Sequence, residues 1–445
     1  MLRRRWWQDL QRIIPAQVLF VLGSLQNYGF EAYLVGGAPR DLLLSKRPQD
    51  WDVTTNASPD RVRGSFERTL SLGEKFGTIQ VLINDYQVEV TTFRREGEYS
   101  DGRRPDRVEF TSSLSEDLSR RDFTINAIAL DPLKKKLVDP FGGVRDLKRR
   151  LVRAVGDPEV RFQEDALRML RFFRFQSTLG FRGERRTEGG IKPEILIKIS
   201  AERIREELTK LLVSPFPELG LYGMARTGLL TTIIPEFIPI WQEDNALFHH
   251  LVATVKAIKP QAELRWAAML HDLGKASSKV VVGNKVHYYG HDQVGQELAA
   301  GILERLRFSG SFCQKVLTLV RWHMFTVDPM ISDAALRRLV IKVGEENIKD
   351  LLEVRRADLV GTGGPYYRAQ EVLSLFARRV EALLTGETVF SRKDLAINGQ
   401  DVMSFLALPS GPKVGEVLQE VFYWVTEDPE RNKKDLILSY LEKFR

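Results

Sequence analysis

Two short motifs near the N-terminal end constrain the fold of this chain more than any other feature. The first, LVGG at 34–37, is an apolar segment closed by two glycines. Pro39 follows it and suits the first turn of a helix, where no backbone N–H is needed. In the second, QDWDV, Asp50 and Asp52 are one residue apart in a predicted strand, so both carboxylates point to the same face. Strand, glycine turn, helix and acidic strand together predict a small α/β unit.

These motifs also predict chemistry. Two carboxylates that converge repel each other, and a divalent cation such as Mg²⁺ relieves that repulsion. The pair Gly36-Gly37 runs into a helix start, which offers free N–H groups to a phosphate. Phosphoryl transfer needs both parts, carboxylates for the metal and donors for the triphosphate. Asp-x-Asp alone also occurs in surface turns, and Glu89 in QVEVTTFR is either a third acidic ligand or a solvent-facing strand residue.

Further along, DLSRRDFTINAIALD brings cations and an amide together. Asp122 and Asn126 are four residues apart, which puts them on one face of a predicted helical turn together with Arg120 and Arg121. An arginine there can hold a triphosphate through its planar fork of donors. The alternative is an ordinary salt-bridged helix start.

The segment RFQEDALRMLRFFRF is predicted to be one continuous helix. On it Asp165 and Arg168 share a face and offer an acceptor beside a donor fork, which suits the reading of a base edge; Arg171 and Arg174 continue the stripe. The competing interpretation is a surface helix with many salt bridges.

Length and charge bound the class of protein. A chain of 445 residues is too long for one core and predicts several domains. Residues 1–30 are predicted to be helical, strands dominate to about 130, and nearly everything beyond 144 has helical spacing. Residues 1–210 hold 38 Lys and Arg against 31 Asp and Glu, whereas the remainder holds 28 of each, so the whole positive excess lies in the first half.

Two further observations bear on location. No apolar run approaches the roughly 20 residues of a membrane span, so no membrane association is expected. Cys313 is the one cysteine, which excludes a disulfide framework and favours a reducing cytoplasm. No pattern in the sequence predicts an oligomeric state.

All six histidines lie within one stretch of 75 residues, from His249 to His323. His271-Asp272 in LHDLGK resembles the signature of the HD phosphohydrolase superfamily. The resemblance implies a metal site at His250, His271, Asp272 and Asp358, with His291 and His323 completing a second position. Imidazole with carboxylate suits Mn²⁺, Ni²⁺ or Fe²⁺. The alternative is a relic helical domain that binds no metal.

Seven motifs occur in this order along the chain: LVGGAPRD, QDWDV, EVTTFR, EYSDGRRPDRVEF, DLSRRDFTINAIA, DPFGG and EDALRMLR. In these motifs and their order the chain resembles the class II tRNA nucleotidyltransferases and the related bacterial poly(A) polymerases.

The resemblance implies an α+β fold of four parts. A nucleotidyltransferase head with a small mixed β-sheet is expected at 1–145, and a helical neck with the nucleotide-selecting helix at 146–215. A helical HD-type body is expected at 216–365, and a helical, tRNA-binding tail at 366–445.

The resemblance also implies residue roles. The metal ligands fall on Asp50 and Asp52, and the base-reading pair falls on Asp165 and Arg168, with Arg171 and Arg174 supporting the nucleotide. The contacts to triphosphate and ribose fall on Gly37, Arg40, Arg121, Asp122 and Asn126. Pro39 departs from the family, which usually has a β-branched residue there.

The expected activity is template-independent addition of CMP and AMP, from CTP and ATP, to the 3′ end of tRNA with release of pyrophosphate. The loop EGEYSDGRRPD is complete, which favours an enzyme able to add A. The alternatives are an A-adding enzyme, a poly(A) polymerase, and, from another class, an HD-domain hydrolase of nucleotides or RNA ends. A non-catalytic RNA-binding protein is disfavoured because the acidic and base-reading residues are intact.

Overall fold

The structure is a computed structural model, and it describes residues 4–73, 77–97, 108–328, 330–363, 367–386 and 391–445. The chain forms two compact units, residues 1–235 and residues 236–445. The predicted loop EGEYSDGRRPD lies almost entirely outside the described residues. None of the described helices is long and apolar enough to cross a membrane. The predicted α+β class is confirmed.

The described residues of the first unit contain eleven strands: β1 (Ala32–Val35), β2 (Asp52–Thr55), β3 (Thr69–Gly73), β4 (Thr78–Ile83), β5 (Tyr86–Thr92), β6 (Arg94–Glu96), β7 (Val108–Phe110), β8 (Ala129–Asp131), β9 (Lys136–Val138), β10 (Leu151–Val152) and β11 (Arg182–Gly183). Seven of them form one mixed sheet in the order β3-β4-β5-β2-β1-β8-β9. Strands β2 and β5 are parallel, whereas the other neighbours in this sheet are antiparallel. The turn predicted at Asn84-Asp85 joins β4 to β5.

The sheet is covered on both faces, as strand β1 shows. Its side chains alternate between two cores: Ala32 and Leu34 pack into one hydrophobic cluster, and Tyr33 and Val35 into another. A strand buried on both faces reads as a continuous apolar run rather than an alternating one. This buried run ends at Val35, and the glycine turn begins at the next residue, Gly36.

In the part of this unit that the structure describes, twelve α-helices accompany these strands: α1 (Arg4–Ile13), α2 (Ala16–Asn27), α3 (Gly37–Leu43), α4 (Pro59–Gly64), α5 (Leu114–Ser119), α6 (Gly143–Lys148), α7 (Pro158–Glu164), α8 (Leu167–Leu179), α9 (Arg185–Gly189), α10 (Ala201–Leu212), α11 (Pro217–Arg226) and α12 (Leu229–Ile233). The single helix predicted for residues 1–30 is two helices, α1 and α2, with Pro15 between them. Proline has no backbone N–H to donate, so α1 cannot continue through Pro15, whereas a new helix can begin directly after it. Helix α11 packs so closely on α8 that a Cβ on Gly223 would lie 2.3 Å from the Phe173 ring.

Where the structure describes it, the second unit is helical apart from one hairpin and its connecting loops. Its helices are α13 (Ile238–Glu243), α14 (Asn245–Ala257), α15 (Ala262–Leu270), α16 (His291–Arg305), α17 (Gly310–Trp322), α18 (Asp333–Val343), α19 (Glu345–Gly361), α20 (Tyr367–Thr385), α21 (Gly399–Leu406), α22 (Pro412–Glu427) and α23 (Lys434–Leu441). The antiparallel hairpin of β12 (Lys279–Val282) and β13 (Lys285–Tyr288) was not predicted. Its signal is present in the sequence, since Gly283-Asn284 separates two β-branched runs. The domain limits predicted within each unit stay predictions.

Gly143 in the DPFGG motif offers a test of packing beneath the site. A Cβ at this position would lie 2.1 Å from the carbonyl oxygen of Thr124, in the short 3₁₀ helix Thr124–Asn126. We expect Gly143→Ala to lower the free energy of unfolding by about 2 kcal/mol, because a backbone atom must shift. Gly64→Ala is the matched control, because a Cβ there meets nothing within 4 Å. Equal thermal melting temperatures for the two variants would contradict this packing.

Candidate functional site

The turn between β1 and α3 lies directly against an acidic strand. Gly36 has φ of +74°, a backbone conformation that L side chains rarely adopt. A Cβ on Gly36 would lie 3.2 Å from Asp52 Oδ2 and 3.5 Å from an Nη atom of Arg121. A Cβ on Gly37 would likewise meet the guanidinium of Arg40 at 3.4 Å. Glycine here keeps the space between a carboxylate and two cations open.

Three carboxylates lie along this part of the sheet. Asp52 is the first residue of β2, Asp50 lies in the preceding loop rather than in the strand, and Glu89 on β5 pairs in register with Asp52. Burial and the neighbouring Asp50 raise the pKa of Asp52, against the lowering effect of Arg121. Partial burial, Asp52 and Asp50 likewise raise the pKa of Glu89. Mutual repulsion of this kind favours a bound divalent cation.

Arg121 supplies positive charge beside the acidic strand. Burial lowers the pKa of its guanidinium, while Asp117, 3.5 Å away, and Asp52 act in the opposite direction. Its Nε is buried and has no hydrogen-bond partner among the described residues. An arginine with a spare donor next to a glycine turn is suited to an anionic ligand.

A chain of polar contacts joins the glycine turn to helix α8. Arg40 Nη1 donates to Asn126 Oδ1 at 2.8 Å, and Asn126 Nδ2 donates to Asp122 Oδ1 at 3.1 Å. Arg171 on α8 donates twice to Asp122 Oδ2, at 2.8 and 2.6 Å. Burial would raise the pKa of Asp122, but Arg171 and Asn126 hold it at about 2. The predicted helical turn at 120–126 is instead a bend followed by a 3₁₀ turn, yet Asp122 and Asn126 are still brought together.

The continuous helix predicted through RFQEDALRMLRFFRF is wrong. Helix α7 ends at Glu164, Asp165 is extended with φ of −143°, and α8 begins at Leu167. The physical reason is capping: Asp165 Oδ1 accepts the backbone N–H of Leu167 at 3.0 Å, and its carbonyl accepts the N–H of Arg168. An aspartate that satisfies the first N–H groups of a new helix competes with continuation of the old one.

The two predicted base readers therefore have different partners within the protein. Asp165 Oδ2 accepts from Arg203 on α10 at 2.9 Å. Arg168 is buried, forms an ion pair with Glu164 and donates to two backbone carbonyls, those of Arg161 and Arg120, at 3.0 and 3.1 Å. Sequence reasoning missed Arg203, because no local periodicity connects residues 38 positions apart.

One aromatic ring is shared by three arginines. The guanidinium carbons of Arg40, Arg171 and Arg174 lie 5.4, 5.5 and 4.1 Å from the centre of the buried Phe175 ring. Arg174 also donates to the buried Glu207 at 2.6 Å. The negative face of an aromatic ring attracts cations, so the ring holds like charges close together. The predicted arginine stripe is thus a packed group rather than a solvated face.

The second unit contains a separate cluster of imidazoles and carboxylates. Two groups have ligand atoms within 4.8 Å of one another: His250, His271, Asp272 and Asp358, and then Asp272, His291 and His323. They come from α14, the ends of α15 and α17, the start of α16, and α19. Asp272 belongs to both groups, with Oδ2 facing His250 and His271, and Oδ1 facing His291 and His323.

Backbone contacts fix how these imidazoles are oriented. Nδ1 of His271, His291 and His323 donates to the carbonyls of Ala268, Tyr288 and Val320, at 2.9, 2.8 and 2.7 Å. Each ring therefore directs Nε2 towards Asp272, as metal-binding histidines do. Nε2 of His291 and of His323, and Asp272 Oδ1, are buried without a hydrogen-bond partner among the described residues. These orphaned atoms fit a metal ion.

The electrostatics of the cluster agree with that fit. Burial would lower the pKa of His271, but Asp272 and Asp358 raise it to about 10. Burial would raise the pKa of Asp358, but the two histidines hold it well below its usual range. Burial lowers the pKa of His323. In the absence of a cation, a proton on His271 offsets part of the charge of the buried carboxylates.

Family profiles match three parts of the chain. The profile described as Poly A polymerase head domain covers residues 32–153, and the one described as probable RNA and SrmB-binding site of polymerase A covers 192–240. A third, described as tRNA nucleotidyltransferase domain 2 putative, covers 291–441. The match to the first profile includes the glycine turn and the acidic strand.

Curated relatives match along nearly the full chain. The CCA-adding enzyme of Enterococcus faecalis is 35% identical over 96% of this chain and 95% of its own length. That of Geobacillus thermodenitrificans is 36% identical over 96% of both chains. The crystal structure of the Bacillus stearothermophilus CCA-adding enzyme in complex with CTP is 31% identical, covers 96% of both chains and has a TM-score of 0.74.

The buried Asp122 carboxylate generates a pH-dependent prediction. Its folded-state pKa of about 2 lies below the ordinary aspartate value of 3.8, so its stabilising effect is present at neutral pH and lost as the pH falls. We expect this effect to be about 2 kcal/mol at pH 7 and to fade between about pH 5 and pH 2. Urea unfolding of wild type and Asp122→Asn at several pH values measures the difference in their free energies of unfolding. Asp60→Asn, which removes an exposed ion pair with Arg63, is the control. A difference between wild type and Asp122→Asn that is equally large at pH 7 and pH 3 would contradict the low pKa of Asp122.

Proposed function

This chain belongs to the class II tRNA nucleotidyltransferases, the family of the CCA-adding enzymes, and we propose that it adds C, C and A to the 3′ end of tRNA from CTP and ATP with release of pyrophosphate. The observation that carries this proposal is the convergence of an acidic strand, a glycine turn and a buried arginine at one end of the head sheet. Asp52, Gly36 and Arg121 supply the three kinds of group that nucleotidyl transfer requires.

In this proposal the carboxylates of Asp50 and Asp52 hold Mg²⁺, and Glu89 adds negative charge beside them. A metal held by Asp50 and Asp52 would supply positive charge that activates the RNA 3′-hydroxyl and neutralises the charge that develops on the leaving oxygens. Gly36 and Gly37 keep space for the triphosphate, and the spare Nε donor of Arg121 faces its oxygens. Arg40, Asp122 and Asn126, already joined by hydrogen bonds, hold the triphosphate and ribose in a fixed geometry.

Base choice follows from donors and acceptors. Cytosine and adenine both present an exocyclic amine donor next to a ring-nitrogen acceptor, whereas uracil and guanine present the reverse. A carboxylate beside a guanidinium matches the first pattern. We propose that Asp165 accepts from the amine and Arg168 donates to the ring nitrogen, with Arg171 and Arg174 supporting the nucleotide.

The acceptor and the location complete the proposal. The positive excess of residues 1–210 suits the negatively charged RNA, and we assign tRNA binding to the helical body and to the tail at 366–445. The relative from Thermotoga maritima whose structure is described as complexed with tRNA shares this fold at 19% identity and a TM-score of 0.59. A cytoplasmic location accords with this substrate.

The activity is tested with tRNA that lacks CCA, CA or A, given CTP and ATP separately. We expect CMP addition to the first two substrates and a single AMP addition to the third. Addition of A alone would favour an A-adding enzyme, and long A tails would favour a poly(A) polymerase.

Removal of one metal-binding carboxylate tests the site itself. We expect Asp50→Ala to reduce incorporation by at least about 10³-fold, because metal charge at the reacting phosphate is lost. Binding of tRNA, measured by filter retention, should stay within about twofold, since the tRNA contacts lie elsewhere. The exposed Asp60→Asn variant is the control. Retained incorporation in Asp50→Ala would overturn the metal assignment.

A second candidate function belongs to the histidine cluster. We propose that it holds transition-metal ions, Mn²⁺, Ni²⁺ or Fe²⁺, and hydrolyses phosphate esters of nucleotides or RNA ends. The observation that favours it is that Asp272 Oδ1, His291 Nε2 and His323 Nε2 are buried without a hydrogen-bond partner among the described residues. Unsatisfied buried polar atoms are unfavourable in a core that has only a structural role. Imidazole and carboxylate donors together suit these metals.

Metal uptake by this cluster is expected to release protons. The raised pKa of His271 means that its ring is protonated at neutral pH, and a metal must displace that proton. Calorimetric titration of the protein with MnCl₂ at pH 7, in two buffers of different ionisation enthalpy, measures the number released. We expect about one proton or more, and none with Asp272→Asn, which removes the shared ligand. The exposed His249→Gln variant should behave as wild type. Absence of Mn²⁺ and Ni²⁺ binding would overturn the proposal.

A further inference from the structure

The carboxylate of Asp165 is held from two sides by this chain itself. Its Oδ1 accepts the Leu167 N–H that begins helix α8, and its Oδ2 accepts from Arg203 Nη2 at 2.9 Å. Capping alone fixes one oxygen and leaves the carboxylate free to rotate about that contact. The ion pair with Arg203 fixes the plane of the group, and with it the direction in which the free lone pairs point.

Arg203 has an arrangement that stability alone does not account for. It lies on α10, and its other terminal nitrogen, Nη1, is buried without a hydrogen-bond partner among the described residues. Burying an unpaired donor is unfavourable. The side chain is nevertheless held with about four-fifths of its surface covered, 21% being exposed, against a carboxylate that is itself 17% exposed. The guanidinium is thus held against Asp165 although one of its donors is unpaired.

Arg168 is not positioned to orient the Asp165 carboxylate. Its guanidinium pairs with Glu164 and donates to the carbonyls of Arg161 and Arg120. Glu164 in turn is shared with Arg161 at 2.6 Å. The two residues that match the family motif are thus each oriented by a different partner, and the partner of Asp165 lies outside that motif, on a separate helix.

We propose that Arg203 is a positioning residue for nucleotide choice: it orients the Asp165 carboxylate so that it accepts from the amine of cytosine or adenine and rejects the carbonyl of uracil or guanine. This inference rests on the proposed nucleotidyltransferase function. Arg203 does not itself touch the nucleotide. Without it, Asp165 still caps α8, but its second oxygen is no longer held, and a rotated carboxylate tolerates the wrong base.

The test compares correct with incorrect nucleotides rather than total activity. For wild type and Arg203→Gln, kcat/KM is measured for CTP and for UTP on tRNA lacking CCA. We expect the ratio of CTP to UTP to fall about tenfold in Arg203→Gln, because a carboxylate that is no longer oriented discriminates less. Arg203→Lys keeps the charge without the planar fork and should restore part of the ratio.

Arg226→Gln is the matched control, because it removes an ion pair of similar length, 2.8 Å to Glu188, between two helices of the same unit. Its ratio of CTP to UTP should equal that of wild type. Thermal melting of each variant reports whether it folds. If Arg203→Gln does not fold, Arg203→Lys decides, and its ratio of CTP to UTP is expected to lie below that of wild type. A ratio unchanged in the folded Arg203 variants, or equal losses with CTP and UTP, would overturn the inference. Absence of incorporation by wild type would instead overturn the proposed function, so the two failures are distinguishable.

Discussion

The contact on which the head depends is the buried ion pair between Asp122 and Arg171. A carboxylate removed from water is tolerated only if its lone pairs are satisfied, and Asp122 accepts from Arg171, Asn126 and the N–H of Phe123. These donors come from helix α8 and from the short turn at 123–126. The single carboxylate therefore joins the end of the sheet to the helix proposed to select the nucleotide, and Asn126 extends the connection to Arg40 beside the glycine turn. Such a network fixes geometry more than it adds stability.

The two units use contrasting donor chemistry. The acidic strand of the head offers oxygen only, with no imidazole among the residues proposed to bind metal, which suits a hard cation that keeps part of its water. The cluster around Asp272 offers four imidazoles with two carboxylates, and backbone carbonyls already fix three of the rings. The first arrangement suits transient metal that arrives with a nucleoside triphosphate. The second suits metal that stays, because preoriented rings lose little freedom on binding.

Local pattern predicted the parts of the site that lie close in sequence. The glycine turn, the strand that carries Asp52 and the approach of Asn126 to Asp122 all depend on spacings of a few residues, and the structure has each of them. Asp50, predicted in the same strand as Asp52, lies instead in the loop before it. The continuous helix through Asp165 failed because spacing alone does not reveal that a side chain caps a new helix. The hairpin at 279–288 was missed where helical periodicity was extended past a Gly-Asn turn. Arg203 had no signal at all, because its contact with Asp165 is set by how two helices pack.

The ring of Phe175 has a consequence for how changes in this region combine. Arg40, Arg171 and Arg174 reach it from α3 and α8, and each also has its own acidic or amide partner elsewhere. Displacement of one guanidinium frees part of the ring face and reduces the repulsion on the other two guanidinium groups. These two groups then change position against the ring. Effects of substitutions at the three arginines are therefore not independent quantities. A lineage that replaces one of them alters the background in which the other two are selected, so they are expected to change together or not at all.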